Sequence, residues 1–80
     1  MAQLRVVSGR EAVKAFEKAG WSRRDLKRRQ RTAGSHHTVL TKEGEENILS
    51  VPDHTELATG TLRSLIRAAG MTVEEFNALL

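Results

Sequence analysis

The chain has 80 residues, no cysteine and a formal net charge of +3 at pH 7. This length suffices for one domain with one modest core, spanning residues 1–80, and is too short for two. The missing cysteines exclude disulfides, thiolate metal sites and thiol nucleophiles, so we expect a reducing compartment, the cytoplasm. No apolar run approaches the roughly 20 residues that span a bilayer, and residues 1–10 lack the apolar core of a secretory signal, so we expect no membrane partner.

A capping box at residues 8–11 opens the first predicted helix. The sequence SGRE fits the S-x-x-E pattern, in which the serine hydroxyl and the glutamate carboxylate each accept a hydrogen bond from a free backbone N–H. Apolar residues then recur at helical spacing up to Ala19, and Gly20 supplies a left-handed stop. We predict a helix at about residues 9–19, with Trp21 folded back on its last turn rather than stacked on a base.

The positive charge is concentrated in the first half of the chain. Residues 1–40 hold ten Lys and Arg against three acids, a balance of +7, whereas residues 41–80 hold three against seven, a balance of −4. The densest part, which we call the basic run, lies within nine positions and consists of Arg23, Arg24, Lys27, Arg28, Arg29 and Arg31. Such density attracts polyanions, chiefly nucleic acid, although a solvated loop has the same composition.

A small antiparallel sheet is predicted in the middle of the chain. The segment 22–33 has one aliphatic residue and no clean period, a pattern compatible with a strand, a frayed helix or a mobile loop. Of these we predict a poorly formed strand. Two β-prone runs follow at 38–41 and 47–51, joined by a Gly-containing turn, and a third strand is needed because an isolated hairpin is marginally stable. Pro52 lacks a backbone N–H and should end the last strand, which leaves His54 in the loop near the edge of the sheet.

Two helices are predicted after the sheet. From Gly60 onward, apolar residues recur at helical spacing, with Gly70 as the stop. The sequence TVEE at residues 72–75 is a second capping box, which opens a short terminal helix. The apolar residues that would dock this last helix are Val73, Phe76 and Leu79. Arg63 and Arg67 lie four apart on the earlier helix and so share one of its faces.

An ordered set of motifs covers almost the whole chain: SGREAVKAFEKAGW, GSHH, VPDH and GTLRSLIRAAGMTVEEF. In this order and spacing the set resembles the HicA-type toxins of bacterial and archaeal toxin–antitoxin systems. The resemblance implies an α+β fold of order α-β-β-β-α, like a double-stranded-RNA-binding domain, with helices on one face of a small antiparallel sheet. It also implies a type II toxin that cleaves mRNA, a HicB-type antitoxin as partner, and a higher-order toxin–antitoxin oligomer.

The family's essential histidine stands third in a Gly-x-His element, and this position corresponds to His36, after Gly34 and Ser35. The VPxH element of the family contributes His54, a secondary candidate. The sequence departs from the family pattern between Trp21 and Gly34, where it is longer and more basic. We therefore expect the first strand and its RNA contacts to differ from those of the family.

The chemistry of RNA cleavage favours the same histidine. Cleavage without a metal needs a base for the ribose 2′-OH proton, an acid for the leaving 5′-oxygen, and cations for the phosphorane. Histidine suits the proton transfers because its ordinary pKa is about 6.5. Without cysteine or paired carboxylates at catalytic spacing, His36 is the best candidate for general acid or general base. The residues expected to bind RNA are Ser35, the basic run, Arg63 and Arg67.

The two adjacent histidines are predicted to have different environments. Neighbouring residues on a strand point to opposite faces, so we predict that His36 faces the RNA and His37 the other side. A metal site that combined these histidines with Asp53 and His54 would match no standard zinc pattern, so we expect neither a metal nor a cofactor.

Two other classes of function fit the same sequence. The first is a non-catalytic RNA-binding module of the same fold, which would recognise RNA by shape and backbone contacts alone. The second is a protein-interaction domain whose basic run docks an acidic partner. Cleavage of naked RNA by the purified chain separates a nuclease from both.

Overall fold

The structure, a computed structural model, describes residues 4–24 and 37–80. The elements in chain order are α1 Gly9–Lys18, β1 Ser22–Arg23, β2 His37–Thr41, β3 Leu49–Pro52, α2 Thr59–Ala68 and α3 Val73–Ala78. This is an α+β fold, and the predicted order of a helix, three antiparallel strands and C-terminal helices is confirmed. No helix within the described ranges is long and apolar enough to cross a membrane.

The three strands form one antiparallel sheet in the order β1-β2-β3. Leu40 pairs with Leu49, and Val51 lies two residues further along β3; all three side chains are buried. Because strand residues alternate between faces, these three define the face that packs on α1 and α2. Residues at alternate positions of the same strands, such as His37 and Ser50, belong to the opposite face and are exposed. The predicted hairpin is confirmed, and Pro52 is the last residue of β3.

The described part of the first predicted strand is the two-residue strand β1. Within the described residues, Ser22 and Arg23 of this strand pair with β2, opposite Thr41 and Leu40. The backbone N–H of Arg24 donates to the carbonyl of Val39 at 2.7 Å and extends the pairing by one hydrogen bond. The remainder of the predicted strand, from residue 25 to 33, lies outside the described residues.

Local signals begin and end α1 where the sequence predicts. The Ser8 hydroxyl accepts from the Glu11 N–H at 3.0 Å, and a Glu11 carboxylate oxygen accepts from the Ser8 N–H at 2.9 Å. At the other end Gly20 adopts φ +105°, a conformation that glycine adopts without strain. The chain thereby turns back, and Trp21 packs into the core with 2% of its surface exposed. Packing, rather than base stacking, is the role of this ring.

Aromatic residues join the terminal helix to the first. Thr72 and Glu75 form the second capping box, which begins α3. The ring of Phe76 is fully buried and lies 5.2 Å from that of Phe16 in α1, at an interplanar angle of 47°. Tilted rings at this separation attract each other in addition to the area they bury. The last helix therefore closes the core between α1, α2 and the sheet.

Candidate functional site

The predicted site residues divide into two groups. Those within the described structure are Arg23, Arg24, His54, Arg63 and Arg67. Those outside it are Lys27, Arg28, Arg29, Arg31, Ser35 and His36. The assignments of the second group remain predictions.

The two arginines at the start of the basic run differ in their surroundings. Arg23 donates from Nε to a carboxylate oxygen of Glu17 on α1 at 3.1 Å, and both side chains are substantially exposed. Such an exposed pair is weak, about 0.2–1 kcal/mol, so a phosphate can compete with Glu17 for Arg23. Arg24 is exposed and forms no ion pair within the described residues. Strand alternation directs it away from Arg23, to the face of the sheet opposite the helices.

The arginines of α2 line a common groove. Arg63 and Arg67 are both exposed, and together with Ile66, Met71 and Val73 they border a groove of about 270 Å³ between α2 and α3. Neither arginine forms an ion pair in the part of the chain that the structure describes. Their guanidinium groups are therefore available to bind phosphate beside the apolar side chains that line the same groove.

His54 lies in the loop that follows β3, and this loop contacts the start of α1. The backbone N–H of Gly9 donates to the carbonyl of His54 at 2.8 Å. A Cβ atom on Gly9 would overlap the carbonyl oxygen of Pro52 and lie 3.3 Å from the Cα of Asp53. Glycine is therefore required at position 9 because there is no room for a side chain, and not because the backbone has a positive φ. The SGRE motif at residues 8–11 and the VPDH motif at residues 51–54 therefore form one structural unit.

A cavity of about 340 Å³ lies between this loop and α1. Its lining residues are Ser8, Arg10, Asp53, His54 and Thr55. Arg10 was not predicted as a site residue from the sequence. The sequence nevertheless indicates a role for Arg10. A cation in the first turn of a helix interacts unfavourably with the helix dipole, so its presence there suggests a function other than stabilising the helix. The structure brings Arg10 and His54 together and places Arg63 and Arg67 in a separate groove.

The start of β2 lies at the same end of the sheet as this cavity. His37 is the first residue of β2 and pairs with Pro52, two positions before His54. The His37 side chain is exposed and, by alternation with Leu40, belongs to the face away from the helices. Within residues 4–24 and 37–80, no group of three or more His, Asp or Glu side chains is placed to hold a metal ion.

Comparison with known proteins identifies a protein family that matches the chain. The family model described as HicA toxin of bacterial toxin-antitoxin matches residues 9–71. The match extends from the first residue of α1 to the residue after Gly70, and it includes the GSHH and VPDH motifs. No curated protein matches the chain.

Proposed function

The chain belongs to the HicA toxin family of bacterial toxin–antitoxin systems, and on this premise we propose that it is an endoribonuclease that inhibits translation by cutting mRNA. It is a toxin with a cognate antitoxin partner. The observation that carries the proposal is the family match over residues 9–71, which includes the Gly-x-His element at residues 34–36. The excess of Lys and Arg in the N-terminal half of the sequence supports it, because this charge attracts RNA.

The proposed reaction is an intramolecular displacement at phosphorus. The ribose 2′-oxygen attacks the adjacent phosphorus while its proton passes to a base. The bond from phosphorus to the 5′-oxygen breaks, and that oxygen receives a proton from an acid. The products are a 2′,3′-cyclic phosphate and a 5′-hydroxyl end. His36 performs one of the two proton transfers, and nearby arginines neutralise the charge of the phosphorane.

We further propose that the RNA-binding surface includes Ser35, the basic run, Arg63 and Arg67. The cognate partner in this proposal is a HicB-type antitoxin, which blocks toxicity by covering His36 or the basic run. Toxin and antitoxin then assemble into a higher-order oligomer in the cytoplasm, where mRNA is available.

Cleavage of RNA by the purified protein is expected to persist in excess EDTA, because a histidine side chain moves the proton. The fragments should carry 5′-hydroxyl ends and cyclic or 3′-phosphate ends, since the 2′-oxygen is the nucleophile. The measurement is gel analysis of a labelled RNA, followed by mass spectrometry of the fragments. Loss of cleavage on chelation, or cutting of the equivalent DNA at a comparable rate, would contradict the mechanism.

Neutralising Arg28, Arg29 and Arg31 together should weaken RNA binding and flatten its dependence on salt. On a single strand, the slope of log affinity against log salt should fall by about 0.7 for each phosphate that the variant no longer neutralises. The measurement is a binding titration over a range of salt concentrations. An unchanged slope would make the basic run an antitoxin-binding surface or an inert segment instead.

A further inference from the structure

We propose that the cavity between α1 and the loop after β3 is a subsite for one ribonucleotide of the RNA chain. In this subsite Arg10 and His54 bind a phosphate, and Asp53 accepts a hydrogen bond from the ribose 2′-hydroxyl. The inference rests on the proposed function and deepens it, because it assigns part of the substrate-binding surface to residues outside the Gly-x-His element.

The frame of the cavity is held by backbone hydrogen bonds on both sides. The Gly9 N–H donates to the His54 carbonyl at 2.8 Å, and the Leu57 N–H donates to the Val7 carbonyl at 2.9 Å. The capping box between Ser8 and Glu11 holds the first turn of α1. The residues that line the cavity therefore lie on a preformed frame, which reduces the ordering cost of binding a ligand.

Arg10 is not explained by the stability of the fold. It is the second residue of α1, where a positive charge opposes the helix dipole. Lys18, by contrast, lies in the favourable last turn, and its ammonium donates to the Leu79 carbonyl at 3.1 Å. The Arg10 side chain is exposed and has no hydrogen bond or ion pair within the described ranges. All its guanidinium donors are thus available, and their fork geometry matches a phosphate.

The remaining lining residues select a ribonucleotide rather than a free anion. The imidazole of His54 retains a ring N–H donor in either protonation state and can share the phosphate with Arg10. The Asp53 carboxylate repels a free anion, yet it accepts a hydrogen bond from a hydroxyl, and the 2′-hydroxyl distinguishes RNA from DNA. Ser8 and Thr55 add two hydroxyl groups to the lining. A volume of about 340 Å³ is sufficient for a group of this size.

The location of the cavity suits a subsite near the reaction. His37 pairs with Pro52, so the cavity lies at the end of the sheet where β2 begins. In sequence this point comes directly after the Gly-x-His element.

The test uses uridine 3′,5′-bisphosphate, which has a ribose and two phosphates but no internucleotide bond to cut. Titrated into the full chain, it should shift the backbone NMR signals of residues 8–10 and 53–55. Arg10→Ala should weaken this binding about 10-fold, the expected effect of removing one charge-assisted hydrogen bond. Lys14→Ala is the matched control, because it removes the same charge one turn later on α1, from an exposed residue that lines a different cavity.

The preference of the cavity for ribose over deoxyribose tests the role of Asp53. The 2′-deoxy analogue of the bisphosphate should bind more weakly than the ribose form to the wild-type chain, and Asp53→Ala should remove that difference. Equal weakening by Arg10→Ala and Lys14→Ala, or shifts confined to other surfaces, would overturn the subsite. Cleavage of RNA by the wild-type chain is measured separately. Binding of the bisphosphate at this cavity without any RNA cleavage would support the proposed subsite and contradict the proposed nuclease activity.

Discussion

Replacing His36 with Ala is expected to abolish the growth arrest that the chain causes when it is produced without its antitoxin. The reason is that this imidazole is the proposed acid or base, and no other residue of the Gly-x-His element titrates near neutral pH. Thermal unfolding should remain nearly unchanged, because the described core consists of apolar side chains and includes no buried polar residue. Growth curves and thermal melts of the purified variant provide the two measurements.

His37→Ala is the matched control for this substitution. His37 is exposed at the start of β2, so its removal should retain growth arrest and at most lower stability or RNA affinity slightly. An inactive His37 variant beside an active His36 variant, both folded, would reverse the two assignments. If both variants still arrest growth, the nuclease hypothesis loses its main candidate, and His54 becomes the residue to replace.

Among the glycines that the structure describes, Gly9 is the one at which an added methyl group should decrease stability most. A Cβ there would overlap the Pro52 carbonyl oxygen, and a backbone atom cannot move aside as a flexible side chain can. Gly9→Ala should therefore push the loop after β3 away from α1 and break the hydrogen bond from the Gly9 N–H to the His54 carbonyl. We expect a decrease of about 1–3 kcal/mol in the free energy of unfolding, the usual cost of overpacking.

Gly60→Ala is the control for the same chemical change. Gly60 lies in the first turn of α2, and an added Cβ there meets no atom within 4 Å. This substitution should leave stability unchanged or raise it by about 0.4–1 kcal/mol, because it restricts the unfolded chain. Denaturant unfolding of both variants measures the difference. Equal stabilities would show that the loop is not held against α1 as described.

Local signals mark both ends of α1, the end of α2 and the start of α3, and they made these helices predictable from the sequence. The SGRE and TVEE boxes begin α1 and α3 where predicted, and the expected glycine stops at Gly20 and Gly70 both have positive φ. The hairpin was equally predictable, because two β-prone runs flank a turn that contains Gly44. In the structure Gly44 has φ +87°. Each of these signals acts over a few residues, so a single sequence displays it completely.

Contacts between distant segments could not be predicted in the same way. No periodicity links Gly9 to Pro52, and the overlap that forbids a side chain at Gly9 exists only once the chain has folded. The ion pair between Glu17 and Arg23 likewise depends on how β1 returns beside α1. Arg10 was overlooked for this reason: SGRE explains the start of a helix, and only the folded loop brings His54 to the same cavity.

Catalysis by His36 is tested most directly by the single-turnover rate of RNA cleavage, measured on one labelled RNA for the purified chain and for its His36→Ala variant. We expect cleavage by the wild-type chain and a decrease of about 10²–10⁴-fold in the variant, the usual contribution of a general acid or base. Equal rates for the two proteins, or no cleavage by the folded wild-type chain, would contradict it.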